Sequence, residues 1–438
     1  MLSGDDVNVA GIGGGMNTKA RVLVVLPFYG GSLPVGNYCV QALRNLGHTV
    51  EVFEAPDFYS AFTALKGLRV TTDRLQYLEN SFLQVISQAI LAKVETFEPD
   101  LVLSLAQAPL SRQALKRLRK DGVATAMWFV EDFRLFTYWR AFAPFYDYFA
   151  VIQREPFLSQ LEEIGVTGAL YLPMAALPSF HKPVTLSAVD RKKFGADVSF
   201  LGAGYPNRRV AFRQFSGYDF KIWGTEWEGD TLLERHVQLS GARISPEDAV
   251  SIYNATRINL NLHSSVQAEQ LVSKGDFVNP RTFELAACGA FQLVDERALL
   301  PELFNYDEMV TFESLEELHE LIAEYLHDED ARQSMVAKAR ERVLKEHTYE
   351  HRMQTLLTFI SNGRENWPKV RDILFAEGAG ADLPADLQAG LGKLLNELGL
   401  PHDTSFSDLA WAIRQRQGKL SELETAVLFL EEWKKQYS

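Results

Sequence analysis

The chain has 438 residues, which is too long for one ordinary domain and suits two or three. Hydrophobic residues make up 47% of it and charged residues 23%, so each domain can bury a core. A formal net charge of −13 argues against general nucleic-acid binding, which requires a basic surface, so no nucleic-acid partner is expected. The two cysteines, Cys39 and Cys288, exclude a disulfide framework and fit a reducing cytoplasm.

The sequence lacks an apolar run long enough to cross a membrane. The closest candidate, residues 135–152, is interrupted by Arg140, Pro144 and Asp147. The N-terminus has no basic-then-apolar signal pattern. Residues 1–18 are predicted to be a flexible leader, because their GIGGGM precedes the first strand whereas a dinucleotide fingerprint follows one. We therefore expect a cytoplasmic protein without a transmembrane segment.

Residues 19–173 alternate between strand and helix patterns, which predicts a Rossmann-like N-terminal domain. The helices are predicted over 34–47, about 75–97 and 110–120. The predicted strands are RVLVVLPF (21–28), VEVFEA (50–55), DLVLSLA (100–106), VATAMWFV (123–130) and YFAVIQ (148–153). Such alternation gives a mostly parallel sheet with helices on both faces.

A second alternating series follows and predicts another Rossmann-like domain over 174–346. Residues 173–196 carry prolines without sustained periodicity and are interpreted as the connection between the domains. The strands of the second domain are predicted as DVSFLG (197–202), DFKIWG (219–224), INLNLH (258–263), AFQLVD (290–295) and MVTF (309–312). Residues 365–438 show only helical periodicity. This helical appendage is expected to make an oligomer, to bind a partner or to pack back on the body, and these alternatives stay open.

Two doubly wound domains predict a ligand in the cleft between them, at the carboxyl ends of the strands. Asn279 is a suitable N-cap and Pro280 a suitable first residue for a helix whose N-terminus would bind an anion. Arg281 adds a cation that matches phosphate oxygens, and Glu284 can accept hydrogen bonds from vicinal hydroxyls. Asp276 precedes them in the loop that would cover the ligand. The alternative is an ion pair between Arg281 and Glu284 on a solvated helical turn.

The turn after the first strand of the second domain contains Gly202 and Gly204, and Arg208 and Arg209 follow at the start of a helix. Glycines let backbone N–H groups approach a phosphate, and an arginine there can reach it. A plain strand-to-helix turn with exposed arginines explains the same residues.

The first domain supplies candidates for the opposite wall of the cleft. Gly30 and Gly31 occupy the equivalent turn after its first strand. Glu131 and Asp132 follow the strand VATAMWFV and are candidates for a general base. A helix N-cap explains Asp132 equally well.

Several spaced motifs of the second half, taken together, resemble a known family. They are VSFLGAGYPNRR, FKIWGTEW, SPEDAVSIYNATRINLNLH, RTFELAACGAFQLVDE, LPELF and HTYEHRM, which cover roughly residues 197–357. This order resembles the C-terminal domain of GT-B glycosyltransferases, specifically the CgeB-like group of spore-maturation proteins. DLVLSLAQ and AMWFVEDFR of the first domain resemble the N-terminal partner domain of the same proteins. The resemblance implies a GT-B architecture of two Rossmann-like domains that face a cleft, with a crossover helix over 347–364.

The resemblance also implies roles for individual residues. In related enzymes an acidic residue, seven intervening residues and a Glu form a donor signature, and Asp276 and Glu284 have this spacing. It places Glu284 at the ribose and Asp276 near the transferred sugar, although Asp276 stands where Glu is usual and leaves the stereochemistry open. The expected donor-binding residues are Gly202, Gly204, Arg208, Arg209, Arg243, His263, Asn279, Arg281, Thr282 and Glu284. For His263 a packing or capping role is the alternative, and His347 and Tyr349 are expected to be structural.

The resulting expectation is an enzyme that transfers a sugar from a UDP- or dTDP-linked donor to a surface glycan or protein. No cofactor and no metal are expected, because positive charge and a helix N-terminus can stabilise the leaving diphosphate. Two alternatives stay open. One is a sugar-nucleotide epimerase of the same fold, and the other is a non-catalytic scaffold with a degenerate site that binds partners through residues 365–438.

Overall fold

The computed structural model describes residues 19–215, 217–268, 275–371, 374 and 383–437. The predicted leader, residues 1–18, lies outside the described residues. Two parallel β-sheets, each covered by helices, form the body of the molecule. The two sheets correspond to the two predicted Rossmann-like domains.

The N-terminal sheet is built from short buried strands. They are β1 (Arg21–Val25), β2 (Thr49–Phe53), β3 (Leu101–Leu105), β4 (Ala124–Phe129), β5 (Tyr148–Val151) and β6 (Ala169–Tyr171). Their order across the sheet is β2-β1-β3-β4-β5-β6, and all neighbours are parallel. The central strands β1, β3 and β4 are buried along their whole length and are mainly apolar because helices cover both faces. The edge strand β6 was not among the predicted strands, since three half-buried residues give no periodic signal.

The second sheet has five parallel strands. They are β7 (Ala196–Leu201), β8 (Phe220–Trp223), β9 (Thr256–Asn261), β10 (Gln292–Asp295) and β11 (Val310–Phe312). The order is β11-β10-β9-β7-β8, so the chain reverses direction across the sheet between β8 and β9. Ligand sites in such sheets lie beyond the carboxyl ends of the strands at this kind of reversal.

Helices connect the strands and continue to the C-terminus. In the N-terminal domain they are α1 (Ser32–Asn45), α2 (Tyr59–Lys66), α3 (Thr72–Phe97), α4 (Arg112–Lys120), α5 (Trp139–Phe142) and α6 (Phe157–Glu163). In the second domain they are α7 (Ala188–Phe194), α8 (Pro206–Phe212), α9 (Pro246–Ala255), α10 (Pro280–Ala287), α11 (Leu300–Leu303), α12 (Leu315–His327) and α13 (Glu329–Glu346). They are followed by α14 (Tyr349–Asn362), α15 (Ala385–Glu397), α16 (Phe406–Gln415) and α17 (Glu422–Tyr437).

The segment 173–196 is more structured than a simple connection, so that prediction was wrong in part. Helix α7 forms within it, and the Ser187 side chain caps this helix by accepting from the Asp190 N–H at 3.1 Å. Met174 and Leu177 of the same segment are buried in the core. Sequence periodicity does not predict this structure, because the burial of these residues depends on contacts with neighbouring domains and not on a local pattern.

Helix α14 connects the second domain back to the first. It packs against α1 of the N-terminal domain, and the Tyr148 hydroxyl donates to the Ile360 carbonyl at 3.3 Å. At its start, Arg352 donates to the carbonyl oxygens of Pro173 and Met174. His347 and Tyr349 are both buried there.

The C-terminal helices α15, α16 and α17 share a small core of their own and pack on the N-terminal domain. Arg21, at the start of β1, forms an ion pair with Asp408. The rings of Phe97 and Trp411 lie 4.8 Å apart. These contacts are at the amino end of the N-terminal sheet, away from the carboxyl ends of its strands. Of the alternatives for residues 365–438, the structure therefore shows packing back on the body.

Candidate donor site between the two domains

Helix α10 begins at the carboxyl edge of the second sheet. Asn279 is its N-cap, and the Asn279 side chain accepts from the Thr282 N–H at 3.1 Å. Pro280 occupies the first helical position and has no N–H. The N–H of Arg281 has no acceptor within the helix, as in the first turn of any helix. The N-terminus of α10 therefore has the polarity that favours an anion.

A buried amide network holds this N-terminus in place. The Asn279 amide donates to the Asn261 side chain at 2.7 Å. Asn261 in turn donates to the Thr282 hydroxyl at 2.9 Å and to the Gln292 side chain at 3.0 Å. Thr282 is completely buried, so it supports the helix start from behind instead of facing a ligand.

Arg281 projects from the first turn towards Phe200, with its guanidinium 5.8 Å from the ring centre. Its Nε is buried and finds no hydrogen-bond partner in the part of the chain that the structure describes. Arg208 lies over the same ring at 4.9 Å. Burial, and then the neighbouring Arg281 charge, lower the pKa of Arg208 to about 9. Two adjacent cations with an unsatisfied donor favour an anionic ligand here.

Arg208 is itself held by backbone groups. Its Nε donates to the Leu262 carbonyl and its Nη1 to the Ala203 carbonyl, both at 3.0 Å. Arg209 also turns inwards, and donates to the Gly204 carbonyl at 2.8 Å and to the carbonyl of Glu226. Of the two arginines, Arg208 contributes charge next to Arg281, whereas Arg209 ties two loops together.

The glycine turn after β7 is shaped by contacts between loops. A Cβ on Gly204 would lie 2.1 Å from the Glu226 carbonyl oxygen, so a side chain is excluded there. Gly202 has a φ of +157°, and its carbonyl accepts from the Trp227 indole at 2.9 Å. Trp223 and Trp227 are buried in the core.

Glu284 lies one turn after Arg281 and keeps 16% of its side chain exposed. The Tyr253 hydroxyl donates to its Oε2 at 3.2 Å, and the His181 Nε2 is 3.9 Å from its Oε1. The Nδ1 of His181 accepts from the Leu177 N–H at 3.0 Å, so the proton of the neutral ring is on Nε2, facing Glu284. Burial lowers the pKa of His181 despite that carboxylate. The Glu284 carboxyl thus accepts one hydrogen bond from Tyr253 with His181 nearby, and the described contacts of Glu284 do not include an ion pair with Arg281.

His263 at the end of β9 is a structural residue. Its Nδ1 lies 2.5 Å from the Asp295 carboxylate, and its Nε2 accepts from the Asn279 N–H at 2.9 Å. Burial lowers the pKa of His263 to about 4, and the accepting Nε2 leaves no place for a second proton. Of the two roles open for His263, the structure places it in support of the α10 N-cap.

Asp276 joins the second domain to the first. Its Oδ1 accepts from the Gln153 amide, at the end of β5, at 2.9 Å. Its Oδ2 is buried with no hydrogen-bond partner among the described residues. Burial lowers the pKa of Arg297, and the negative charges of Asp295, Asp132 and Asp276 offset part of this shift. Asp132 of the first domain and Asp276 of the second therefore act on the same guanidinium.

The glycine loop of the first domain also reaches the second. The Gly30 carbonyl accepts from the Arg243 guanidinium at 2.8 Å, so two residues predicted on opposite walls are in contact. Gly30 has a φ of +100°, which an L side chain rarely adopts. Gly31 is the N-cap of α1.

Glu131 and Asp132 follow β4 but make different contacts. The Asp132 side chain accepts from the Arg134 N–H at 2.9 Å, as expected for a turn or cap residue. Glu131 accepts from the Tyr138 hydroxyl at 2.7 Å and from the Gln107 amide. Burial raises the pKa of Glu131, and these two hydrogen bonds offset part of that effect.

Four residues of this site were missed by sequence reasoning. Gln153 is the last residue of a predicted strand and Arg297 follows another by two residues, so the rule that ligands bind at strand ends could have found them. Tyr253 and His181 approach Glu284 from the interior of α9 and from the interdomain segment, and no local pattern marks either position.

The described ranges contain no cluster of three His, Cys, Asp or Glu side chains arranged to hold a metal ion. None of the helices in those ranges combines the length and apolar composition that crossing a bilayer requires.

Comparison with known proteins agrees with this architecture. Residues 187–358 match the model of a family described as glycosyl transferase-like. The spore protein CgeB of Bacillus subtilis (strain 168) is 24% identical over 268 residues, which cover 56% of this chain and 78% of CgeB. Sucrose-phosphate synthase from Thermosynechococcus elongatus superposes with a TM-score of 0.53 at 12% identity, covering 79% of this chain and 99% of that one. HepE of Anabaena in complex with UDP-glucose gives 0.52 at 10% identity, covering 78% and 99%.

The two Rossmann-like domains have the GT-B fold of these structures, and the family match over residues 187–358 indicates a glycosyltransferase. Within this class the chain is similar to CgeB, with 24% identity over 268 residues.

Proposed function

We propose that this protein transfers a sugar from a UDP-linked donor, with dTDP-linked donors as the close alternative, to a surface glycan or protein acceptor. The observation that carries the proposal is a pair of unsatisfied buried atoms at one edge of the second sheet. They are the Nε of Arg281 and the Oδ2 of Asp276. A buried polar atom without a partner costs about 1–3 kcal/mol, so the presence of two such atoms on the loop and first turn around the α10 N-terminus fits a ligand that supplies the partners.

We infer one orientation of the donor at this edge. Arg281 and the α10 N-terminus would bind the diphosphate through a charge-assisted hydrogen bond and the helix dipole. Glu284, held by Tyr253, would accept from the ribose hydroxyls. Asp276 would then lie at the transferred sugar, on the side that faces the first domain through Gln153. HepE, which shares this fold, has been solved with UDP-glucose, and this supports a UDP-linked donor.

Transfer breaks the bond between the anomeric carbon and the diphosphate, and negative charge develops on the leaving oxygen. Arg281, with Arg208 beside it, would stabilise that charge without a metal ion. We propose no metal or other cofactor for this reason. Glu131 is the better candidate for the base, because burial raises its pKa, whereas Asp132 is engaged in a turn.

A donor-hydrolysis and exchange assay tests this function. Purified protein is incubated with UDP-glucose, UDP-galactose, UDP-N-acetylglucosamine and dTDP-glucose, with and without EDTA. Free nucleotide, the sugar of the remaining donor and donor binding are then measured. We expect release of UDP from one donor, unaffected by EDTA and lost in Arg281→Met. Conversion of the donor sugar to an isomer that stays linked to UDP would indicate an epimerase. Absence of both binding and turnover with every donor would favour a scaffold.

A further inference from the structure

A cavity in the N-terminal domain remains unused by the donor site. Its volume is 560 Å³, within the range of small-molecule sites. It lies between α3 and the loop that follows β3, and α5 closes one side. The lining is mainly apolar and includes Phe28, Phe62, Leu83, Met127 and Phe142. Phe28 and Phe62 are stacked with ring centres 5.2 Å apart, which gives the cavity a flat aromatic wall.

The polar end of the cavity is formed by Gln107 and Tyr138, and both hold Glu131. The Gln107 N–H donates to the Tyr138 hydroxyl at 2.9 Å, and that hydroxyl donates to Glu131. Gln107 has a φ of +67°, which is uncommon for a residue other than glycine. Such strained residues concentrate at ligand sites because the surrounding structure must hold them in place.

Glu131 follows β4 in a loop that is linked to the second domain: the Phe133 N–H donates to the Gln153 Oε1 at 3.1 Å, and the Gln153 amide donates to Asp276 at 2.9 Å. The next residue, Asp132, is close enough to Arg297 of the second domain to act on its pKa. Phe28 of the cavity wall is two residues from Gly30, whose carbonyl accepts from Arg243 of the second domain. Glu131 is therefore in a loop that contacts the polar end of the cavity through Gln107 and Tyr138 and the second domain through Gln153.

We propose that the cavity binds the apolar aglycone of a glycoside acceptor and directs the accepting hydroxyl to Glu131. This rests on the proposed function and specifies the acceptor: a glycan unit attached to an alkyl or aryl group. In the transfer, Glu131 accepts the hydroxyl proton and the acceptor oxygen bonds to the anomeric carbon of the donor sugar. The bond from that carbon to the diphosphate breaks, and UDP leaves with the electron pair.

The aglycone preference can be measured with three glucosides that share one sugar. Binding of methyl, n-octyl (below its micelle concentration) and p-nitrophenyl β-glucoside is followed by calorimetry in the presence of UDP. Each buried methylene strengthens binding roughly fourfold. The affinity for octyl glucoside, even with its alkyl group only partly buried, should therefore exceed that for methyl glucoside by on the order of a hundredfold. Tighter binding of the octyl compound would indicate an alkyl aglycone, and tighter binding of the nitrophenyl compound an aryl one.

Two tryptophan substitutions on α3 form a matched pair. Leu83 lines the cavity, whereas Val85 on the same helix is 65% exposed and does not. We expect Leu83→Trp to weaken binding of the preferred glucoside at least about tenfold by filling the cavity, and Val85→Trp to leave it unchanged. The thermal shift with UDP should be the same in both variants and in the wild type, which shows that the fold and the donor site are intact.

Equal affinity for the three glucosides, or no binding of any of them, would overturn the proposal, as would unchanged binding in Leu83→Trp. In each of these cases a retained UDP shift leaves the donor assignment standing and points to an acceptor of another kind, such as a protein. The absence of any UDP-dependent shift in the Tm of the wild type would instead count against the proposed function itself.

Discussion

Replacing Glu284 by Gln tests the donor site most directly. The change keeps the size of the side chain and one acceptor oxygen for the Tyr253 hydroxyl, which donates to Glu284 at 3.2 Å. It removes the negative charge and one of the oxygens that the ribose hydroxyls would use. A hydrogen bond to a charged group contributes about 1.5–3 kcal/mol, so the Kd for UDP should rise about 10- to 150-fold.

The expected loss of UDP affinity can be measured as a smaller stabilisation by UDP in thermal unfolding. At a UDP concentration of about 100 times the wild-type Kd, binding adds about 2.7 kcal/mol to the stability of the wild type. With a Kd raised about thirtyfold, the same concentration adds only about 0.9 kcal/mol. The shift in Tm should shrink accordingly, whereas the Tm without UDP should change little because Glu284 is half-buried and its partners stay paired.

Glu341→Gln is the matched control, since Glu341 is an exposed carboxylate on α13. It should leave the UDP shift at the wild-type value. An unchanged shift in Glu284→Gln would refute the ribose assignment. A Tm that falls equally with and without UDP would show that Glu284 acts in the fold and not on the ligand.

Three further predictions concern other parts of the molecule. Asp276→Asn retains the acceptor for Gln153 and should lower the transfer rate by about a hundredfold, because Asp276 is assigned to the sugar. The affinity for UDP should stay within about threefold of the wild-type value. An equal loss of transfer rate and UDP affinity would contradict this assignment. Gly204→Ala should destabilise the fold by about 1–3 kcal/mol, since its Cβ would meet the Glu226 carbonyl at 2.1 Å, whereas Gly217→Ala has open space and should be neutral in the same urea titration. Burial and the Arg352 charge lower the pKa of His347 to about 3, below its value of about 6.5 in the unfolded chain. The contribution of the neutral His347 ring to the free energy of unfolding is therefore complete above about pH 6.5 and is lost as the pH falls. Wild-type stability should therefore decline by about 1.4 kcal/mol per pH unit more than that of His347→Gln between about pH 6 and 4, and parallel declines would argue against a neutral buried ring.

Strand positions were predictable from sequence wherever a strand is a buried apolar run. The runs at 21–28 and 100–106 became β1 and β3 because both faces of a parallel sheet are covered. The start of α10 was equally predictable, since an Asn-Pro pair specifies a cap by local chemistry. Edge strand β6 and helix α7 were missed because their order depends on packing partners distant in sequence.

The sequence by itself determined the two-sheet architecture, the anion-favouring helix start and the spacing of Asp276 and Glu284, because each depends on residues close together in the chain. Only the tertiary structure decided which arginine side chains are engaged by the protein and which one keeps a donor for a ligand. Arg209 is engaged by backbone carbonyls, whereas the Nε of Arg281 is buried without a partner among the described residues. Both are arginines near a glycine turn or helix start, and only the fold determines which acceptors come within reach. The same holds for Glu131 and Asp132, whose adjacent carboxylates make contacts on different sides of the chain.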